Sequence, residues 1–310
     1  MIATAVTVQG LAEGTLTADI CYLAVLVGAS IAAWVGAERR PPGRRLMARL
    51  IAAGVSCNAL GEVLWSVFDW TGRDTDVSVA DLAWFASYAF LCAALWVVLT
   101  RSRTDGRVDL GFVVDAVTIV VISVLVFWRV AVGAIVTDTA EAPLVRAVSA
   151  AYPILDAILL ALVLRVLLSR GARAVIDASL AVGVCLWLAA DLLYLLVPDQ
   201  DPAIIAMNTA WMLAPVLMAR AAWRDREATS AAPAGSGRAG WVVPLLIAVC
   251  PLMVPPALEL VADLRGQPDR PLQLLIGMAL LIALAFVRTG RLIRSEQRAH
   301  QELEVARDTA

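Results

Sequence analysis

ADICYLAVLVGASIAAWVGAERRPPGRR, residues 18–45, opens with a long run that carries one acid, Asp19, and ends in a cluster of arginines. An α-helix needs about 20 apolar residues to cross a bilayer, and this run supplies them. The turn that follows sets Arg39, Arg40, Arg44 and Arg45 against the single Glu38. Short arginine-rich loops stay on the cytoplasmic side of a membrane. One segment therefore suggests both a spanning helix and its direction, with residue 18 outside and residue 45 inside. Nothing before it reads as a cleaved signal peptide, because residues 1–10 hold no basic charge and no clean cleavage site follows the run.

Working outward, the same alternation recurs. Nine stretches are long and apolar enough to span: 18–36, 47–68, 80–100, 110–132, 146–169, 174–197, 203–223, 240–264 and 271–290. The expected fold is all-α, a polytopic membrane bundle of nine helices with its N-terminus outside and its C-terminus in the cytoplasm. Every second connection is basic: the loop at 38–45, Arg101, Arg103 and Arg107, then Arg170 and Arg173, then Arg220, Arg224, Arg226 and Arg238. The connections between them are acidic, with Asp69, Asp74 and Asp76, then Asp138 and Glu141, then Asp199 and Asp201. Asp263 and Asp269 flank Arg265 and Arg270 in the last of them. Composition agrees: 61% of residues are hydrophobic and 17% charged, where soluble domains run at about 45–50% and about 25%. Mean hydropathy is +0.80. Within the eighth stretch, Pro244, Pro251, Pro255 and Pro256 predict a broken helix, which neighbouring helices can tolerate.

These boundaries divide the chain into an outer segment 1–17, a seven-helix body 18–227 and a flexible linker 228–239 (TSAAPAGSGR lies within it). Two more spans follow at 240–290, then a cytoplasmic helix at 291–310. In that tail Leu292, Glu296, Ala299, Leu303 and Ala306 fall at alternating steps of four and three, an imperfect heptad seam that suits self-association.

The second and sixth stretches resemble each other. GVSCNALGEVLW (residues 54–65) aligns with GVCLWLAADLLY (residues 183–194) at an offset of 129, matching Gly54 with Gly183 and Glu62 with Asp191. Each is followed by an acidic connection and then a span with an early tryptophan, Trp84 or Trp211. Both segments run in the same direction, so the repeat is parallel.

Ionisable side chains inside spans are costly and usually face protein or a wet cavity. Placed by depth, Glu62, Asp81, Asp156, Asp191, Asn208 and Glu259 gather in the outer half of the bilayer, with Arg129 as the expected counter-charge. Tyr152, Tyr194 and Trp211, with Trp65 and Trp84, can wall an outward-facing pocket for a small polar or cationic ligand. The structural alternative is interhelical hydrogen bonding for the acids and an interfacial belt for the rings. Toward the inner side lie Asp115, Arg49, Arg165 and Asp177, and Arg165 with Asp177 is the expected clamp across the fifth link. Cys21, Cys57, Cys92, Cys185 and Cys250 sit singly inside apolar runs, read as small buried side chains. HExxH, Walker and GxSxG patterns are all missing, no histidine lies in a span, and the sequence calls for no cofactor and no metal.

YPILD (Tyr152, Pro153, Asp156), the apolar run 157–168, DLLY (Asp191, Tyr194) and Trp211, with Glu62, Trp65, Asp81 and Trp84 as first-half counterparts, resemble a family. They are similar to the multi-pass N-terminal sensory regions of actinobacterial diguanylate cyclase/phosphodiesterase proteins and sensor histidine kinases. The likeness covers roughly residues 45–225 and the tail. It implies a sensory input module in the cell's inner or plasma membrane. Its partners would be membrane lipid, a second copy through the C-terminal helix and a cytoplasmic output domain, with no role for nucleic acid. No GGDEF-like, EAL-like or phosphoacceptor run is present, and His300 lacks a phosphoacceptor's surroundings, so no catalytic activity is expected of this chain. Two other readings stand beside it. A secondary transporter or channel needs Glu62, Asp156 and Asp191 on a continuous path. A membrane-embedded lipid-modifying enzyme needs a base and a head-group site in addition to the acids.

Overall fold

The computed structural model describes residues 15–73, 76–101, 110–168, 172, 176–196, 201–224, 254, 256, 259–260 and 275–290. The expectations for the N-terminal segment, the linker, most of the eighth span, the heptad-like tail and the side chain of Asp115 lie outside them. The described residues are helical almost throughout. In chain order the helices are α1 (Leu16–Glu38), α2 (Arg45–Trp70), α3 (Val79–Arg101), α4 (Leu110–Phe127), α5 (Gly133–Thr137), α6 (Pro143–Leu168), α7 (Ala178–Leu196), α8 (Asp201–Trp223) and α9 (Leu275–Gly290). A π-helical turn, Trp128–Val132, joins α4 to α5.

Six of these helices are long and apolar enough to cross a membrane: α1, α2, α3, α6, α7 and α8. Two more, within α4 and at α9, are apolar and shorter, Ala116–Phe127 and Leu275–Gly290. The chain is an all-α polytopic bundle. Only helices and closed barrels satisfy their backbone polar groups within one segment or one closed sheet, as the hydrocarbon core demands. The outward faces confirm the solvent. Ile31 is 60% exposed, Leu60 52% and Leu82 69%, a cost in water and none in lipid.

The chain forms two compact units. The first comprises residues 1–106 and 130–231, and the second residues 107–129 and 232–310. In the first unit six helices close a ring in sequence order, with α1 packed on α2, α2 on α3, α3 on α6, α6 on α7, α7 on α8 and α8 back on α1, and α8 also packs across on α2. The α2–α3 and α7–α8 pairs form the most extensive seams, and α6–α7 the sparsest of the six. Close packing in lipid depends on small residues, and α1 supplies a stripe of them: Ala18, Ala29, Ala33 and Ala37 are buried. In the second unit Leu125 of α4 lies against Gly277 of α9, at the position where a Cβ would stand.

Local signals define the ends of the helices. Helix α2 closes with Gly72 at φ +65°, while Gly72 N–H bonds the Asp69 carbonyl at 3.0 Å and Arg73 N–H the Phe68 carbonyl at 3.0 Å. That pair of bonds is a Schellman termination, which glycine makes inexpensive. Helix α3 opens with a capping box: Ser78 Oγ accepts from Ala80 N–H at 3.1 Å, and Asp81 Oδ2 accepts from Ser78 N–H at 2.7 Å. Asp177 caps α7 by accepting Ser179 N–H at 2.9 Å.

One end of the ring collects the arginines. Arg40 is buried and donates to the Ala222 carbonyl at 2.9 Å, the Ala221 carbonyl at 2.8 Å and the Arg224 carbonyl. A guanidinium there satisfies the last carbonyls of α8 at the negative end of its dipole. Arg39 stacks 4.5 Å from the Trp223 ring, and Arg49 pairs with Glu38 at 2.9 Å. Asp177, expected beside Arg165, is paired with Arg224 at 3.6 Å. Arg224 comes from the far end of the chain segment that returns beside α7, a neighbour that span-by-span reading does not reveal.

Candidate functional site: a carboxyl, phenol and indole network

Toward the opposite end, every helix of the ring contributes a polar or aromatic side chain to one cluster. Tyr88 of α3 stands at its centre. Its hydroxyl lies 2.6 Å from Asp156 Oδ1 of α6 and 2.9 Å from Asp191 Oδ2 of α7. Trp211 Nε1 of α8 donates to Asp191 Oδ1 at 2.7 Å. The Trp84 indole of α3 lies against α2 next to Glu62, its Nε1 2.5 Å from where a Cβ on Gly61 would stand. Tyr22 of α1 lies close enough to Glu62 and Asp191 to sense both charges. Nearer the end of the ring, the Tyr152 hydroxyl donates to Asp81 Oδ1 at 2.6 Å, the oxygen that the capping box leaves free. The Tyr88 and Tyr152 rings pack edge to face, 6.4 Å between centroids, and Trp187 tilts against Tyr88 at 5.3 Å.

Helical periodicity explains this convergence. Asp81, Trp84 and Tyr88 fall at i, i+3 and i+7, and Tyr152 and Asp156 at i and i+4, so each set occupies one face. The same faces continue toward the arginine end as apolar side chains. On α3 the stripe passes to Leu91 and Leu95, on α6 to Leu159 and Val163, and on α7 to Val184 and Leu180; each is at most 1% exposed. On α3, α6 and α7 the buried faces thus change from polar to aliphatic, while α1 and α2 keep Ser30 and Asn58 buried below the network.

Of the expected site residues, Glu62, Asp81, Tyr152, Asp156, Asp191 and Trp211 come together in this cluster. Asn208 is half-buried on α8, one turn before Trp211, and its amide makes no hydrogen bond among the described residues. Tyr194 is 57% exposed, its ring 6.1 Å from that of Trp211, which places it on the outer face, where a belt residue belongs. Arg129 and Glu259 lie in the second unit. Among the described residues of the first unit, the side chains that donate to these acids are phenols and an indole, and Asp81 also accepts the Ser78 N–H. Three members of the cluster, Tyr22, Tyr88 and Trp187, escaped the sequence reading. The signal for Tyr88 was its helical spacing from Asp81 and Trp84, and for Tyr22 its place 130 residues before Tyr152.

The halves of the ring echo each other in contacts. A Cβ on Gly54 of α2 would meet the Leu91 side chain at 2.9 Å and the Ser87 carbonyl at 3.3 Å. A Cβ on Gly183 of α7 would meet the Ala214 carbonyl at 2.9 Å and the Met218 side chain at 3.1 Å. Gly183 follows Gly54 by 129 residues, while Ala214 and Met218 follow Ser87 and Leu91 by 127. The acids and their indoles keep the same two offsets: Glu62 with Trp84, Asp191 with Trp211.

A proton count constrains the centre of the cluster. Tyr88 has one O–H proton and two carboxyl groups at hydrogen-bonding distance, so it donates to one of them only. Asp156 is 1% exposed, and among the described residues no N–H or O–H donor reaches its buried Oδ2. The Asp156 and Asp191 carboxyls lie 2.6 and 2.9 Å from the one Tyr88 hydroxyl oxygen, and either can donate to the other only when it carries a proton. Among the described residues no group of three or more His, Cys, Asp or Glu side chains is placed to hold a metal ion. No family model, curated protein or solved structure matches the chain.

Proposed function

We propose that this polytopic membrane protein is a sensory module, the input part of a signalling protein, in which the state of the buried network biases the packing of the helix ring. The observation that carries this reading is the network's make-up. It draws one or more side chains from each of six helices, so a change in its charge or occupancy acts on all of them at once. A ligand shifts a conformational equilibrium only through different interactions with the two states, and a site that spans every seam supplies them.

In the same reading the chain crosses the inner or plasma membrane nine times, with its N-terminus outside and its C-terminus in the cytoplasm. The gathering of Arg39, Arg40, Arg49 and Arg224 at one end of the ring supports this sidedness. The network then faces outward and the aliphatic stripes of α3, α6 and α7 inward. The matched contacts of Gly54 and Gly183, and of Glu62 and Asp191, support a duplication in which α1–α3 correspond to α6–α8. A transporter needs polar groups through both halves of the ring, and the change of the α3, α6 and α7 stripes from acid and phenol to leucine and valine favours sensing over passage. In this reading the module hands its signal to a cytoplasmic partner through the segment at 291–310.

The test uses the full chain in nanodiscs, with the native cysteines replaced and single cysteines at Ala299 or Leu303. Disulfide crosslinking between tails is expected to change with pH or with small organic cations. Crosslinking that stays constant across both series refutes the signalling role.

A further inference from the structure

We infer that the ligand of this network is a proton, held between the Asp156 and Asp191 carboxyls with the Tyr88 hydroxyl closing the ring. The inference rests on the sensory reading of the same site and names its input. The buried, donorless Asp156 Oδ2 is the first support. A bare carboxylate oxygen in a low-dielectric interior is costly unless a donor or a counter-charge meets it, and a proton on the pair supplies the donor. The single Tyr88 proton between two carboxyls at 2.6 and 2.9 Å is the second. With one proton on the pair, one carboxyl donates, the other accepts, and the phenol donates to an oxygen that remains.

Among the described residues of the first unit, the groups facing the pair leave little to neutralise a second negative charge. From α1 comes Tyr22, from α2 Glu62, and from α3 Tyr88 itself. Helix α6 adds Tyr152, which is engaged with Asp81 of α3; α7 adds Trp187 and α8 adds Trp211. All are acids, phenols or indoles. Release of the proton turns a hydrogen-bonded pair into two like charges sharing one phenol donor, and such a pair repels. The pair bridges α6 and α7, the sparsest seam of the ring, so that seam is where repulsion does the most to open the structure.

Infrared difference spectroscopy on the full chain in nanodiscs, stepped between acid and alkaline buffers, tests this directly. The expected result is a carboxylic-acid carbonyl band that disappears at alkaline pH. The band should be lost in Asp156→Asn and in Asp191→Asn. In Tyr88→Phe it should persist at a shifted frequency, since that variant keeps both acids and removes one of their hydrogen-bond partners. No carboxylic-acid band in the unmodified chain at any pH, or a band unchanged in both Asn variants, overturns the assignment. A sodium titration at fixed pH that abolishes the band also overturns it, in favour of a cation site. The unmodified chain supplies the decisive spectrum even where an Asn variant fails to fold. Tail crosslinking on the same samples separates the two claims. A titrating band with invariant crosslinking leaves the proton site standing and removes the sensory role. Responsive crosslinking without the band does the reverse.

Discussion

Tyr88 and Tyr152 are both phenols bonded to buried acids at 2.6 Å, yet they carry different loads. Asp81, the partner of Tyr152, also accepts a backbone N–H in its capping box at 2.7 Å. Asp156, the partner of Tyr88, has one oxygen with no donor among the described residues. Removing a partner from a buried polar group costs about 1–3 kcal/mol. Thermal unfolding in detergent is therefore expected to show Tyr88→Phe as more destabilising than Tyr152→Phe, and equal losses would contradict the central place given to Tyr88.

Asp177 makes a second residue-scale case, outside the spanning segments. Burial pushes its carboxyl up. Against that stand Ser179, whose N–H donates to it and whose hydroxyl lies beside it, and the charges of Arg224 and Arg220. The net effect holds it below the ordinary carboxylate range. A carboxyl lowered in the folded state contributes stability at neutral pH, and that contribution is lost as pH falls through its folded value. Asp177→Ala, which also removes the helix cap, is expected to cost about 1–2 kcal/mol at neutral pH. Asp177→Asn keeps most of the cap. Both variants should flatten the loss of stability below about pH 4, and an unchanged acid limb in unfolding curves would rule out the charge contribution.

At the scale of elements, the two glycine seams differ in what opposes a methyl group. At Gly183 the nearest atom is the Ala214 carbonyl oxygen at 2.9 Å, part of the α8 backbone. At Gly54 it is Leu91 Cγ at 2.9 Å, which a rotation about χ1 can move, with the Ser87 carbonyl oxygen further off at 3.3 Å. Gly183→Ala must push α7 from α8, and overpacking of that kind costs about 1–3 kcal/mol. Gly54→Ala is expected to cost less. Comparing the two melting temperatures checks the assignment, and the reverse order would mean that the α2–α3 seam is the stiffer one. The glycine pair was visible in the sequence as a repeat. Its meaning was not, because the atoms that crowd each glycine come from a helix about 30 residues further along.

At the scale of the molecule, Arg40 binds carbonyls of residues 221, 222 and 224, more than 180 positions away in the chain. The loop at 38–45 and the end of α8 therefore share one side, and Asp76, between α2 and α3, belongs to the other. Single cysteines replacing Arg44 and Arg224 are expected to react from the same face of a sealed membrane with an impermeant thiol reagent, and one replacing Asp76 from the opposite face. Labelling of Arg44 and Arg224 positions from opposite faces would break the ring.

Sequence alone was enough for the class of fold, because both requirements are local: a helix needs about 20 apolar residues to span lipid, and residues 18–36 or 80–100 meet that without any partner. It also located six of the acids and rings of the network by depth, since depth follows from counting along a helix. Which of those groups touch was decided by tertiary structure. Tyr88 reaches Asp156 across 68 residues and Asp191 across 103. Asp177 likewise pairs with Arg224, 47 residues further along the chain. Such pairings depend on the rotation of each helix about its own axis, and that is set by packing against neighbours the chain reaches only after folding.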